Sequence, residues 1–329
     1  MADRTAPLSG FGRPKGRLDT GIAHARLYPV AKEKTALHKQ LESGKQVLLT
    51  LASPPKGSDP APLRELAQQF AGKVHAIGVS DNHHGVTMSA LAAAALIAAE
   101  GVEPVLTLTT RDRNRIALLS DCLGAQALGV RNFLCTSGTH QTLGAYSAAK
   151  SVFDLDSVQL TQVLTNLCAN GAGEERLAGE ELCLGGVAAP YADPLEMQVA
   201  RLAKKVETGA RFLVTQPVYD LARFEQWWTA VTERGLQDRV AILAGVEPLA
   251  DADAAQAEAR RRPSPVIPAA VLERLAAGAD SRAQRELGID LAVETIDRLS
   301  KIDGLRGFTI GGEPTAALAV IERSGLVID

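Results

Sequence analysis

Six clusters of polar or titratable residues each follow an apolar run: Ser80-Asp81-Asn82-His83-His84, Thr109-Thr110-Arg111-Asp112-Arg113-Asn114, Ser137-Gly138-Thr139-His140-Gln141, Thr215-Gln216, Glu247 and Thr309. Carboxylates and imidazoles can hold and move protons, and the amide of Gln216 can both donate and accept toward a ring. Asp81, His83 and His84 are metal-ligand types. Adjacent histidines point in different directions, however, and no third spaced ligand follows, so no metal site is expected. Asp112 has a structural reading as the N-cap of the helix that follows it. Lys204 and Lys205, read from composition alone, are an ordinary solvated helix face.

Something must bring these clusters together. The apolar runs are VLLTL (47–51), VHAIGV (74–79), PVLTLT (104–109), RNFLCT (131–136), LCLGGVAA (182–189), RFLVTQ (211–216), RVAILAG (239–245) and LRGFTI (305–310). Ala/Leu/Glu/Arg stretches of helical period lie between them, including 60–71, 88–100, 114–128, 195–208 and 221–234. Eight strands alternating with helices predict a single (β/α)8 barrel over 41–329, with residues 1–40 as an N-terminal arm that has a short helical pattern near 33–41. The runner-up, a doubly wound open sheet, requires a Gly-rich turn after its first strand. Here that strand runs into Ser53-Pro54-Pro55-Lys56-Gly57 instead. In a barrel, the six clusters form a polar cup at the C-terminal mouth. Two stretches, His140–Ser151 and 251–268, read as irregular insertions at that rim.

The composition excludes several other functions. Among 329 residues, 35 Lys+Arg against 38 Asp+Glu leave a net charge of -3, with no electrostatic reason to expect a nucleic-acid partner. The N-terminus lacks a secretory apolar core, and the richest apolar stretch, 90–99, is far short of the ~20 residues of a membrane span. A cytoplasmic protein is expected. Cys122, Cys135, Cys168 and Cys183 are scattered singly, which predicts reduced and mostly buried thiols.

Six ordered motifs carry a resemblance: PPKG (54–57), TRDRNRIALLSD (110–121), LGVRNFLC (128–135), VFDLDS (152–157), KKVETGARFLVTQPVYD (204–220) and GIDLA (288–292). From about Lys45 onward the chain resembles the methylenetetrahydrofolate reductase family. It is most similar to the acetogen-type branch, in which a loop like SGTHQTLG (137–144) follows strand 4. The resemblance implies a flavin-binding (β/α)8 barrel that interconverts 5,10-methylene- and 5-methyltetrahydrofolate. FAD is favoured over FMN, and NAD(P)H or a partner protein exchanges electrons with the flavin. Ser80, Thr107, Arg111, Phe153, Asp154, Arg201, Lys204 and Lys205 match positions around the flavin, the two lysines at its phosphate or ribityl end. Gln216 matches the glutamine that contacts pterin and nicotinamide, and Thr309 falls on the substrate side. A homo-oligomer is expected, with an electron-transfer or demethylase partner as a further possibility.

Two departures bear on chemistry. The family's general acid, three residues before the Pro-Pro pair, is Leu51 here, and leucine has no proton to give. The family's aspartate after the strand 4 glycine is Thr139, a catalytic and substrate-facing position. Glu247, His83, His84 and Asp81 are the nearby titratable substitutes, with Glu247 the first choice because burial at the end of strand 7 would favour its protonated form. Neutral Thr139 would ease flavin reduction and bias the reaction toward oxidising methyltetrahydrofolate. The alternatives are a methyltetrahydrofolate-binding or methyl-transfer module without reductase activity, and a flavin-free reductase in which nicotinamide donates hydride directly.

Overall fold

A computed structural model describes residues 33–83, 85–170, 180–261 and 266–328. Eight parallel strands, β1 (Val47–Ala52), β2 (Ala76–Val79), β3 (Pro104–Thr109), β4 (Asn132–Thr136), β5 (Cys183–Ala188), β6 (Phe212–Pro217), β7 (Ala241–Val246) and β8 (Gly307–Ile310), close into a barrel in sequence order. The expected (β/α)8 barrel is the observed fold. The helices are α1 (Ala36–Glu42), α2 (Ala61–Phe70), α3 (Ala90–Ala99), α4 (Arg115–Ala127), α5 (Ser157–Asn170), α6 (Leu195–Glu207), α7 (Leu221–Thr232), α8 (Ala252–Arg261), α9 (Ala269–Ala276), α10 (Ser281–Leu299) and α11 (Pro314–Arg323).

The strands form because both of their faces are buried, so near-continuous apolar runs suit them better than alternation. On β1, Leu48 and Ala52 pack outward against the helices, whereas Val47 and Leu49 face the axis with Val105, Phe212 and Leu243. That alternation assigns every strand residue to one side or the other.

Residues 1–32 of the arm lie outside the described residues. Helix α1 closes the N-terminal end of the barrel: buried Leu37 and Leu41 join the axial core. The Glu103 carboxylate accepts from Ala36 N at 2.5 Å and Leu37 N at 3.0 Å, while Thr35 Oγ1 donates to Asn132 Oδ1 at 2.6 Å.

Two expectations are corrected. The 251–268 stretch is not wholly irregular, because α8 occupies its first part. Asp251 Oδ1 accepts from Ala254 N at 2.7 Å to start the helix, and Ala252 and Ala255 bury against Leu275 and Ile267. Asp112 does not cap α4. Asn114 does, accepting from Ala117 N at 3.0 Å, while Asp112 is drawn to Arg111. The His140–Ser151 stretch contains one 3-10 turn, Gln141–Leu143. Cys122, Cys135 and Cys183 are free and buried. No described helix is long and apolar enough to cross a membrane.

Candidate functional site

The mouth at the C-terminal strand ends falls into three sectors. In the first, strands β7, β8 and β1 run in register through Val246, Ile310 and Thr50. One position further along, Glu247, Gly311 and Leu51 share the next inward-facing layer. Leu51 is 40% exposed and lies over β2, where its Cδ2 would be 2.7 Å from a Cβ on Gly78. Glu247 is half-buried and leans the other way, with Oε2 3.4 Å from where a Cβ on Gly311 would stand. Gly311 has no side chain, so the Glu247 carboxylate lies against bare backbone of β8, the strand between β7 and β1. Gln216 joins from β6. A register shift between Val214 and Pro217 bulges the strand there. The bulge brings the Thr215 carbonyl so close to β7 that a Cβ on Gly245 would lie 2.6 Å from it. Thr309, one layer deeper on β8, is 1% exposed. A small apolar cavity of about 30 Å³, walled by Val246, Leu249, Val271, Leu291 and Ala292, lies against Glu247.

In the second sector, Arg111 ties together the loops that follow β2, β3 and β4. Buried, it donates from Nη1 to Thr139 O at 2.9 Å, from Nη2 to Asn82 O at 3.1 Å, and from Nε and Nη2 to Asp112 at 2.7 Å each. Its planar fork suits such multi-point contact. Thr139 is thereby fixed by its carbonyl, half-buried at the mouth. Asp81 is buried in an ion pair with Arg113 and accepts from Thr109 N at 2.9 Å; burial outweighs the arginine and pushes its carboxyl above the usual range. It is a brace for the loop. No group of three metal-ligating side chains occurs among the described residues. His83 is exposed, and His84 lies outside the described residues. Thr107 faces the axis on β3, nearly buried, and Ser80 Oγ lies 3.5 Å from Ser53 Oγ. Phe153, 39% exposed at φ +42°, stacks on His140 with ring centroids 6.2 Å apart. A positive φ is uncommon for a bulky residue and marks this loop position as strained. Asp154 is exposed and accepts from Arg115 N at 2.8 Å.

The third sector is a pocket of about 240 Å³ where β4 and β5 meet α5 and α6, lined by Ser137, Gly138, Ser157, Gln198, Arg201 and Lys205. Gln198, Arg201 and Lys205 lie on one face of α6 because they are three and four residues apart. Lys205 is buried and donates to Val187 O. Burial, reinforced by Arg201, lowers its pKa to about 8. Lys204 is exposed and does not line this pocket, since successive residues on a helix turn about 100° apart. The lysine pair expected to act together is split. Gly311, Gly78, Gln198 and the capping role of Asn114 went unread in the sequence. The three- and four-residue spacing on α6 and the Gly311-Gly312 doublet are the signals that could have found some of them.

The fold and this geometry define a parallel (β/α)8 barrel that gathers its polar groups at the C-terminal mouth, the face on which such barrels build their active sites. A model of the methylenetetrahydrofolate reductase family matches residues 36–325, and the chain belongs to that family. It is 30% identical over 155 residues to Methylenetetrahydrofolate reductase 1 of Schizosaccharomyces pombe, an alignment covering 45% of this chain and 25% of that protein. The chain thus matches a quarter of that relative's length. Its fold is similar to that of an uncharacterized Clostridium thermocellum protein solved with two copies of 5-methyl-5,6,7,8-tetrahydrofolic acid. The TM-score is 0.60 at 13% identity, covering 88% of this chain and 98% of that one.

Proposed function

We propose that the protein binds a reduced folate in the barrel mouth and interconverts 5,10-methylene- and 5-methyltetrahydrofolate with a flavin, running preferentially toward oxidation of the methyl form. The observation that carries this reading is the placement of Gln216, Glu247 and Leu51 at the C-terminal ends of β6, β7 and β1, on one rim of the barrel, in a chain of this family. Gln216 offers both a donor and an acceptor to the pterin edge. Glu247 takes over the proton-holding role that Leu51 cannot fill.

A flavin fits the residues present. Buried Lys205 and exposed Arg201, one helical turn apart in a pocket that also reaches the start of α5, are the donor set for a phosphate-bearing group. Bound there, the flavin would supply hydride transfer. The chain's own part is to bind its phosphate end through Arg201 and Lys205, to fix the loop carrying Thr139 through Arg111, and to keep a proton at Glu247. FAD is the preferred form, with NAD(P)H or a partner protein exchanging electrons. Thr139 sets the direction by omission. Removing one unit charge from about 5 Å of a redox group, at an effective dielectric near 20, is worth roughly 3 kcal/mol. For a two-electron couple that is on the order of 70 mV upward. A higher potential makes the flavin a better hydride acceptor from methyltetrahydrofolate.

Leu51 favours a second reading, a module that binds methyltetrahydrofolate for a demethylase or methyl-transfer partner without turning it over. Both readings require Gln216. Gln216→Ala is expected to weaken methyltetrahydrofolate binding about tenfold or more, the scale of leaving a buried polar edge unpaired, with the thermal midpoint nearly unchanged. Isothermal titration checks this, and unaltered affinity would remove folate from the mouth.

A further inference from the structure

Thr309 carries a buried hydroxyl with nothing to bond. Its neighbours on β8, Phe308 and Ile310, pack into the helix-facing core, so alternation turns Thr309 toward the barrel axis. It is 1% exposed, and its Oγ1 has no hydrogen-bond partner. The residues beside it in the barrel wall, Leu49 and Gly245, bring no polar side-chain atom to it. Two other threonines near the mouth are satisfied. Thr50 Oγ1 donates to Ile310 O at 2.9 Å, and Thr215 Oγ1 donates to Gln216 O at 2.8 Å while accepting from Gly245 N at 2.9 Å. Thr110 shares the unpartnered condition but lies past the end of β3, outside the wall. An unmade hydrogen bond in the interior destabilises a fold, and a native structure keeps one where something else completes it. One layer above Thr309 are Glu247 and Gly311, and the bulge carrying Gln216 abuts Gly245, so Thr309 lies one layer beneath the sector proposed as the folate site.

We propose that Thr309 is a specificity-determining residue whose hydroxyl completes its hydrogen bond on the amide-like edge of a ring heterocycle entering the mouth, donating to a ring carbonyl or accepting from a ring N–H. The inference rests on the folate reading and deepens it: of the ligand's parts, it is the ring edge that reaches β8. Thr309→Val keeps the shape and deletes the hydroxyl, while Thr309→Ser keeps the hydroxyl.

The test is isothermal titration of the full-length wild type and both variants with 5-methyltetrahydrofolate, together with thermal melts of the ligand-free proteins. The valine variant should bind about tenfold more weakly yet melt at or above the wild-type midpoint, since it removes an unsatisfied group. The serine variant should bind within about twofold of wild type. Wild-type affinity in the valine variant, or a valine variant that melts clearly below wild type, would overturn the proposal, because the hydroxyl would then be satisfied within the fold. A folded wild-type protein that does not bind methyltetrahydrofolate would instead overturn the folate reading, and this proposal with it.

Discussion

Under the proposed function, Leu51 presents a branched alkyl group where opening or closing a folate ring calls for a proton donor. The carboxylate proposed to serve instead stands two strands away at Glu247, with Gly311 on the strand between them. Glu247→Gln preserves shape and removes the exchangeable proton, so turnover should fall at least ~100-fold, the usual scale for losing a general acid, with folate affinity and melting temperature nearly retained. Steady-state rates in both directions check this, and turnover within a factor of two of wild type would take Glu247 out of the mechanism. Asp81, a rival in the sequence, is committed to Arg113 and Thr109. The identity of the titratable residues was legible in the chain. Their availability was not, because it depends on which partner the fold places beside each one.

Elements were legible where a single signal dominated. The eight strands are continuous runs buried on both faces, and each stands out from its flanking turns. Helix α8 was hidden by three prolines, at 263, 265 and 268, that follow it, although Asp251 and the spacing of Ala252, Ala255 and Ala259 mark its start and inner face. The β6 bulge has no sequence signature at all, since it is the close approach to Gly245 that identifies it. Helical phase decides the roles of the lysines on α6, sending Lys205 into the pocket and Lys204 to the surface. This has a consequence for pH. The pKa of Lys205 falls from 10.5 to about 8 in the folded chain, so between those values the unfolded chain holds the extra proton and folding stability rises with pH. Anion binding follows the opposite course, because the pocket loses its buried charge above about pH 8. Inorganic pyrophosphate, titrated from pH 7 to pH 10, should bind about tenfold or more weakly at the alkaline end, and Lys205→Met should flatten that profile. An alkaline-insensitive wild type would show that Lys205 does not hold the anion.

Across the whole molecule, stability and chemistry occupy opposite ends of the barrel. The N-terminal end is sealed by α1, whose Leu37 and Leu41 complete the axial core and whose first turn is held by Glu103. The C-terminal end is left to loops braced by Arg111 and Arg113. This division lets a family member lose the carboxylates expected at Leu51 and Thr139 without loss of the fold, since neither position contributes to the axial core. Under the proposed function, the assembled site takes hydride from methyltetrahydrofolate. The most direct measurement is an anaerobic titration of flavin-loaded wild type and Thr139→Asp with 5-methyltetrahydrofolate, followed by the flavin absorbance. The wild type is expected to bleach, and to do so at a lower folate excess than Thr139→Asp, whose restored charge lowers the potential. A flavin that stays oxidised in a folate-saturated wild type, or a Thr139→Asp variant that bleaches as readily, would contradict it.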